Sequence, residues 1–264
     1  MPRAAEATAR LAAAGCESPR LDAELLLAEV LGVTRTQLYL SAPPPLEPAA
    51  RERFEALLAR RAAREPVAYI LGFKPFRRLE LAVDRRVLIP RPETELLVEV
   101  GLELEAGARV ADVGTGSGAI ALALADERPD LSITGIDASA DALVLARDNA
   151  RRLGLEVDFI EGDLLVGGPY DAALANLPYV CDGDRLAPEI TRYEPAEALY
   201  GGPDGLDVIR RLVEMASGAV PLLALEVGAG QADEVESLLR AAGFTDVERR
   251  RDLAGHERVV VGRR

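Results

Sequence analysis

Two short stretches carry residue types whose spacing can do chemistry. The first is Asp112-Val113-Gly114-Thr115-Gly116-Ser117-Gly118-Ala119, set between an apolar run and a helical pattern. Glycines in such a loop let the backbone turn sharply and let a ligand approach with no Cβ in the way. Asp137 closes the next apolar run, where a carboxylate can accept hydrogen bonds from both hydroxyls of a ribose. Gly114, Gly116 and Ala119 also satisfy the dinucleotide fingerprint. The loop alone therefore admits a dinucleotide or S-adenosylmethionine. Asp112 favours the second, because a carboxylate repels a pyrophosphate and suits a sulfonium with its ammonium group.

The second stretch is Asn176-Leu177-Pro178-Tyr179, which follows another strand-like run. Asn and Pro are common at any strand exit, but this exit lies one strand from the glycine loop. Its residues suit the methylation of an amide nitrogen. That nitrogen is a poor nucleophile, since its lone pair is delocalised into the carbonyl. Asn176 offers a side-chain carbonyl and Leu177 a main-chain carbonyl to hold the NH2 group. Pro178 stiffens the turn and has no N–H to compete. Tyr179 can pack its ring on the planar amide. None is a general base at neutral pH, as tyrosine titrates near ~10. Catalysis would then rest on positioning, worth roughly 7–11 kcal/mol when reacting atoms are held in line, and on carbonyl dipoles that ease the charge developing on nitrogen.

The elements that must position these stretches can be read from periodicity. From residue 109 onward, strand patterns at 109–113, 132–136, 157–161, 171–175, 222–227, 244–250 and 258–261 alternate with helical ones at 119–127, 140–153, 206–216 and 232–242. This predicts an α/β fold with a mostly parallel sheet covered on both faces. Three final strands with one helix between them predict an antiparallel strand at the end. Residues 1–65 read as a small helical bundle: a helix capped by Ser18 with Pro19 at its first position and ended by Gly32, a short helix opened by Thr34 that stops before Pro43-Pro44-Pro45, and a third over 48–64. Residues 66–90 read as a linking β-hairpin, with Asp84-Arg85-Arg86 as the turn before Val87-Leu88-Ile89. The remaining 91–264 form the catalytic domain, entered through a helix that runs to about residue 105.

Composition narrows the function classes. Of 264 residues 49% are hydrophobic, enough for a large core, while only 4% are aromatic. A net charge of −13 disfavours broad binding to a phosphate backbone, so no direct nucleic-acid contact is expected. Arg60, Arg61 and Arg64, like Arg249, Arg250 and Arg251, read as solvated faces. Cys16 and Cys181 lack metal-ligand spacing and make no disulfide framework, and the single His256 reads as structural; no metal is expected. No apolar run approaches the ~20 residues of a membrane helix, so a cytoplasmic, monomeric enzyme is expected.

On these residues the chain resembles the HemK/PrmC family of release-factor glutamine methyltransferases, over nearly its whole length. The likeness runs through residues 64–72, Phe76-Arg77-Arg78-Leu79, and the particularly specific Val87-Leu88-Ile89-Pro90-Arg91-Pro92-Glu93-Thr94-Glu95. The glycine loop, Asp137, the tetrad, Leu225-Glu226-Val227-Gly228 and residues 251–258 follow in family order. The resemblance implies a Rossmann-like class I methyltransferase sheet. It implies that S-adenosylmethionine is bound by residues of the glycine loop (Asp112, Gly114, Thr115, Gly116, Ser117, Gly118), by Asp137, with Leu164 beside the adenine, and by Asn176. It implies that Asn176, Leu177, Pro178 and Tyr179 hold and methylate the glutamine in the Gly-Gly-Gln loop of class I peptide chain release factors. The N-terminal helices would help to engage that partner. Glu93 and Glu95 read either as helix N-terminal charges favoured by the dipole or, on the resemblance, as part of a segment that lines the site. Two positions depart from the family: Leu177 replaces a customary Pro, and Leu164 stands where an aromatic is frequent. Asn-Leu-Pro-Tyr also resembles the motif of ribosomal RNA adenine dimethyltransferases. A nucleic-acid adenine N6-methyltransferase is therefore the alternative.

Overall fold

The computed structural model describes residues 2–40 and 46–264. The chain forms two compact units: residues up to Phe73 together with Leu186–Tyr193, and Lys74–Arg185 together with Glu194–Arg264. Among the described residues no helix is long and apolar enough to cross a membrane.

The first unit contains α1 (Pro2–Ala13), α2 (Pro19–Leu31), α3 (Gln37–Leu40), α4 (Pro48–Ala62) and α5 (Val67–Leu71). Leu11, Leu26, Leu27, Phe54, Leu58 and Ile70 meet in its core. Pro19 opens α2 and Gly32 closes it in the left-handed conformation, but the Ser18 side chain makes no capping bond. The expected stop at Pro43–Pro45 lies outside the described residues. Residues 66–72 are not extended: Pro66 and Gly72 bracket the short helix α5. Arg61 is not solvated either. At 5% exposure, its guanidinium donates to Asp22 at 2.7 Å and to Glu189 at 3.1 Å. Arg64 pairs with the same Glu189, and Arg60 with Glu65 at 2.7 Å.

In the second unit the hairpin is formed by β1 (Phe73–Phe76) and β2 (Leu79–Ala82). The hairpin's turn is Arg77-Arg78; Asp84-Arg85-Arg86 does form a turn, with Val87 N donating to Asp84 O at 3.1 Å, but residues 87–89 beyond it form no strand. Arg77 takes a left-handed φ of 51°. Glu95 accepts from its backbone N–H at 3.2 Å, and Glu127 pairs with its guanidinium at 2.6 Å. A 3-10 turn (Pro92–Thr94) then enters α6 (Glu95–Leu102), shorter than the sequence suggests.

The remaining elements alternate as the periodicity predicts: β3 (Arg109–Val113), α7 (Ala119–Glu127), β4 (Ser132–Asp137), α8 (Ala140–Leu153), β5 (Asp158–Glu161), β6 (Ala172–Ala175), α9 (Pro188–Tyr193), α10 (Asp207–Ala216), β7 (Leu222–Glu226), α11 (Ala232–Ala241), β8 (Asp246–Arg251) and β9 (Glu257–Arg263). Of these, only α9 has no counterpart in the sequence reading. The sheet order is β5-β4-β3-β6-β7-β9-β8. β9 runs antiparallel to both its neighbours, while the first five strands are parallel. Arg249, Arg250 and Arg251 all lie on β8 and pair with Glu236, Glu103 and Glu257.

Side chains alternate between the two faces, as strand geometry demands. Along β6, Ala172 and Leu174 join the core under α6, α7 and α8, whereas Ala173 and Ala175 join the core under α10 and α11. Covering both faces makes these strands read as continuous apolar runs. β7 is the telling case: Leu222 to Leu225 are apolar, and the strand ends on a charged residue, Glu226, that is only 1% exposed.

The order of strands fixes where a ligand can sit. The chain starts at β3, moves outward through β4 and β5, then returns to β6 on the other side of β3. In open α/β sheets the crevice at such a switch point, at the strands' carboxyl ends, takes the ligand.

Candidate active site

Val113 pairs with Ala175 in the parallel register of β3 and β6. The glycine loop and the Asn176 tetrad therefore leave the sheet side by side. The contact is intimate. Gly114 has φ +74°, and a Cβ there would meet Leu177 Cδ2 at 3.1 Å and the Asn176 carbonyl at 3.5 Å. Leu177 is buried in the core on the α10–α11 face, so the leucine in place of proline fills the space against Gly114.

Between the two loops opens a cavity of about 300 Å3, at the lower end of small-molecule sites. Gly114, Thr115, Gly116, Ser117, Asp137, Leu164, Asn176, Leu177 and Pro178 all line it. Asp112, Gly118 and Tyr179 do not. Residues 86–90 contribute Arg86, Val87, Leu88 and Pro90 to the wall, and Thr94 adds its side. Glu93 and Glu95 are not among the lining residues. His256 lies on the turn between β8 and β9, where its backbone N–H donates to Asp252 at 2.9 Å.

Each wall has a recognisable chemistry. Ile136 O accepts from the N–H groups of Gly114 and Thr115 at 2.8 and 2.9 Å, pinning the start of the loop to β4. Asp137 Oδ2 accepts from Gly116 N at 2.8 Å and Oδ1 from Ser139 N at 2.8 Å. Burial raises the Asp137 pKa, and these backbone donors oppose the shift. Each oxygen keeps lone-pair capacity toward the cavity, as recognition of a ribose diol requires. Leu164 adopts a left-handed φ of 66° while facing the same space. For a residue with a Cβ that costs roughly 1–2 kcal/mol, and it places an apolar surface beside Asp137's end of the cavity.

Asp112 is buried and does not line the cavity. Its Oδ2 accepts from Thr115 Oγ1 at 2.6 Å and from Ala121 N at 3.0 Å, bracing the loop against α7. Burial pushes its pKa up to about 7, with Asp137 adding to the rise and the two hydrogen bonds opposing it. Its Oδ1 is buried without a hydrogen-bond partner, an acceptor left open beside the glycine cradle. These features fit a bound nucleoside carrying an amino-acid tail.

The tetrad is held by residues that motif reasoning missed. Asn176 Nδ2 donates to Thr94 Oγ1 at 3.0 Å. Thr94 Oγ1 in turn donates to Glu226 Oε2 at 2.7 Å. Tyr179 Oη donates to Glu226 Oε1 at 3.2 Å. Tyr179 is thus tied to Glu226 through its hydroxyl and is not among the residues that line the cavity. Burial, then the neighbouring Glu226 charge, drives its pKa above the usual tyrosine range. The strand register explains why Glu226 is there. Ala175 pairs with Leu225, so Asn176 and Glu226 follow side by side and point to the α6 face, where Thr94 sits.

A second missed support is the loop 200–205. Val180 N donates to Leu199 O, Gly201 N to Val180 O and Asp182 N to Gly202 O, each at 2.9 Å. Gln231 Nε2 holds the Tyr179 carbonyl at 2.9 Å. A Cβ on Gly205 would overlap that carbonyl, and one on Gly201 would overlap the Pro178 carbonyl. The sequence signal was present in Gly201-Gly202-Pro203-Asp204-Gly205, a density of glycines with no phosphate-loop spacing.

Comparison with known proteins places this arrangement. The model of the PrmC N-terminal domain matches residues 4–72, and that of the methyltransferase small domain matches residues 92–192. The release factor glutamine methyltransferase of Deinococcus radiodurans is 45% identical over 98% of this chain and 96% of its own length. That of Rhodospirillum rubrum is 43% identical over 97% of this chain and 82% of its own length. Among solved structures, a methyltransferase from Pyrococcus furiosus matches with a TM-score of 0.53 at 16% identity, covering 70% of this chain and 88% of that one. A T. thermophilus 16S rRNA methyltransferase in complex with AdoMet and guanosine also gives 0.53 at 16%, covering 73% of this chain and 49% of that one. These structural likenesses show the class I methyltransferase fold, and the sequence identities over nearly the full length show more: the chain belongs to the release factor glutamine methyltransferase family.

Proposed function

We propose that this protein transfers a methyl group from S-adenosylmethionine to N5 of the glutamine in the Gly-Gly-Gln loop of class I peptide chain release factors, in the cytoplasm. The observation that carries this reading is the Val113–Ala175 pairing, which sets the glycine loop and the tetrad against one cavity. The family relationship supplies the substrate class.

S-adenosylmethionine, when bound, supplies an electrophilic methyl on a sulfonium. Gly114, Gly116 and Ser117 would give it a close-fitting backbone, Asp137 would accept from its ribose hydroxyls, and Leu164 would cover its adenine. Asn176 Oδ1 and the Leu177 carbonyl would hold the substrate NH2 as acceptors. With the Asn176 NH2 tied to Thr94, its Oδ1 is the atom left to face a donor. Pro178 has no N–H, so the turn presents acceptors without a competing donor. Nothing here acts as a strong base, so the chain's contribution is orientation and dipoles aimed at nitrogen. The helical unit would engage the release factor.

Mass spectrometry of the release-factor glutamine peptide, after incubation with enzyme and donor, tests the reading. A gain of one methyl on that glutamine is expected; label found only in ribosomal RNA would defeat it in favour of the base methyltransferase. Replacing Asp137 by Ala should weaken donor affinity about ten- to a hundredfold, the scale of losing a hydrogen bond to a charged group. Calorimetric titration with the donor reads this directly, and unchanged affinity would remove Asp137 from the donor site.

A further inference from the structure

We infer that Glu226, acting through Thr94, is a positioning residue that sets which end of the Asn176 carboxamide faces the substrate amide. The inference rests on the proposed glutamine reading and deepens it.

The argument is one of donors and acceptors. An ionised carboxylate can only accept. Glu226 in that form takes the Thr94 hydroxyl proton at 2.7 Å, which leaves the Thr94 oxygen to accept. Asn176 must then turn its NH2 toward Thr94, as observed at 3.0 Å. Its Oδ1 is thereby aimed away from Thr94 as a free acceptor. Protonation of Oε2, with Oε1 still accepting from Tyr179, reverses the relay: Glu226 donates to Thr94, Thr94 donates to Asn176 Oδ1, and the carboxamide rotates. The NH2 of Asn176 would then oppose the NH2 of glutamine, donor against donor. The ionised form, whose two oxygens both accept, holds the carboxamide in the orientation that presents its acceptor.

Two observations support a dedicated arrangement. Thr94 closes the 3-10 turn that runs straight into α6, with helical φ −63° and ψ −19° and no side-chain bond to a helix N–H, so its hydroxyl is given over to Glu226 and Asn176. Glu226 is also the lone charged residue on an otherwise apolar, fully buried strand. Leaving it unpaired would be costly. The charged groups around it are Glu93 from the turn before α6, which raises its pKa, and Arg258 from β9, which lowers it; Tyr179 and Thr94 supply hydrogen bonds that lower it. Arg91 faces the Tyr179 side of the network. Burial dominates and pushes Glu226 up to about 7. The relay therefore changes state within the neutral range.

The test is the pH dependence of kcat on a class I release factor between about pH 5.5 and 8.5, with donor affinity measured in parallel to establish folding. Wild type should show a limb that rises with pH and levels off above neutrality. Glu226→Gln should lose that limb and stay, across the range, near the low rate wild type shows at pH 6, at least about tenfold below the plateau. Thr94→Val should lose the limb as well, while Thr94→Ser, which keeps the hydroxyl, should restore it. Donor affinity should be unchanged in all three. A Glu226→Gln enzyme that keeps the wild-type rate and limb, or a Thr94→Val enzyme that keeps the limb, overturns the relay alone. Wild-type enzyme without activity on that glutamine overturns the function reading and the relay with it.

Discussion

Replacing Asn176 by Ala should lower kcat on the release factor about a hundred- to a thousandfold, the range seen when one preorganised hydrogen-bonding group is removed from a reacting centre. The affinity for the methyl donor should change little. Asn176 reaches the cavity from the end of β6, whereas the donor's expected contacts come from the glycine loop, Asp137 and Leu164 on the β3, β4 and β5 side. The Ala variant also leaves Thr94 without its donor, but Thr94 keeps its bond to Glu226, so the fold should persist. Single-turnover kinetics at saturating donor, with binding measured separately, checks this. Full turnover in the variant would show that the amide is not held by Asn176 and that positioning is the wrong account.

Gly205→Ala should be comparably damaging although Gly205 touches no ligand. Its φ of +76° costs an alanine about 1–2 kcal/mol. The new Cβ would also overlap the Tyr179 carbonyl, which Gln231 already holds at 2.9 Å. Relief requires the backbone of the tetrad to move, and a shift of about 1 Å at a reacting centre can cost about a hundredfold in rate. The expected result is a fall in kcat near that size with a lowered Tm. Gly230 supplies the control, because it has φ +88° but open space around its Cβ position. Gly230→Ala should lower Tm by a similar backbone penalty and leave kcat intact. Equal kcat in the two variants would show that the 200–205 loop does not position the tetrad.

How much of this could be read from the chain depends on what kind of signal each part leaves. The alternation of strands and helices after residue 109 was plain because strands buried on both faces give unbroken apolar runs. The glycine loop and tetrad were plain because their residue types are informative on their own. Thr94 and Glu226 were quoted as parts of matching segments but given no role. Their partnership depends on the β6–β7 register, which no local pattern encodes. Glu226 had a usable cue, a carboxylate closing an apolar strand, the same cue that identified Asp137. Asp84-Arg85-Arg86 does turn, as its composition suggests, but the hairpin turns earlier, at Arg77-Arg78, whose two arginines carry no local turn signal and where Glu95 and Glu127 hold Arg77. The burial of Asp112 and its bonds to Thr115 and Ala121 were not legible, because residue type alone says nothing of a carboxylate's surroundings. The six residues of α9 are too few to show a period.

That short helix bears on how the gene could be cut and rejoined. The helical unit is discontinuous: Pro188–Tyr193 returns to it from more than a hundred positions downstream and brings Glu189, the carboxylate shared by Arg61 and Arg64. An exchange of the first 73 residues between relatives would carry both arginines away from their acidic mate, and a fragment ending there would leave the buried Arg61 guanidinium with Asp22 and the Glu65 carbonyl but without its second carboxylate. A chimera joined at that seam should therefore fold best when residues 1–73 and 186–193 come from the same parent.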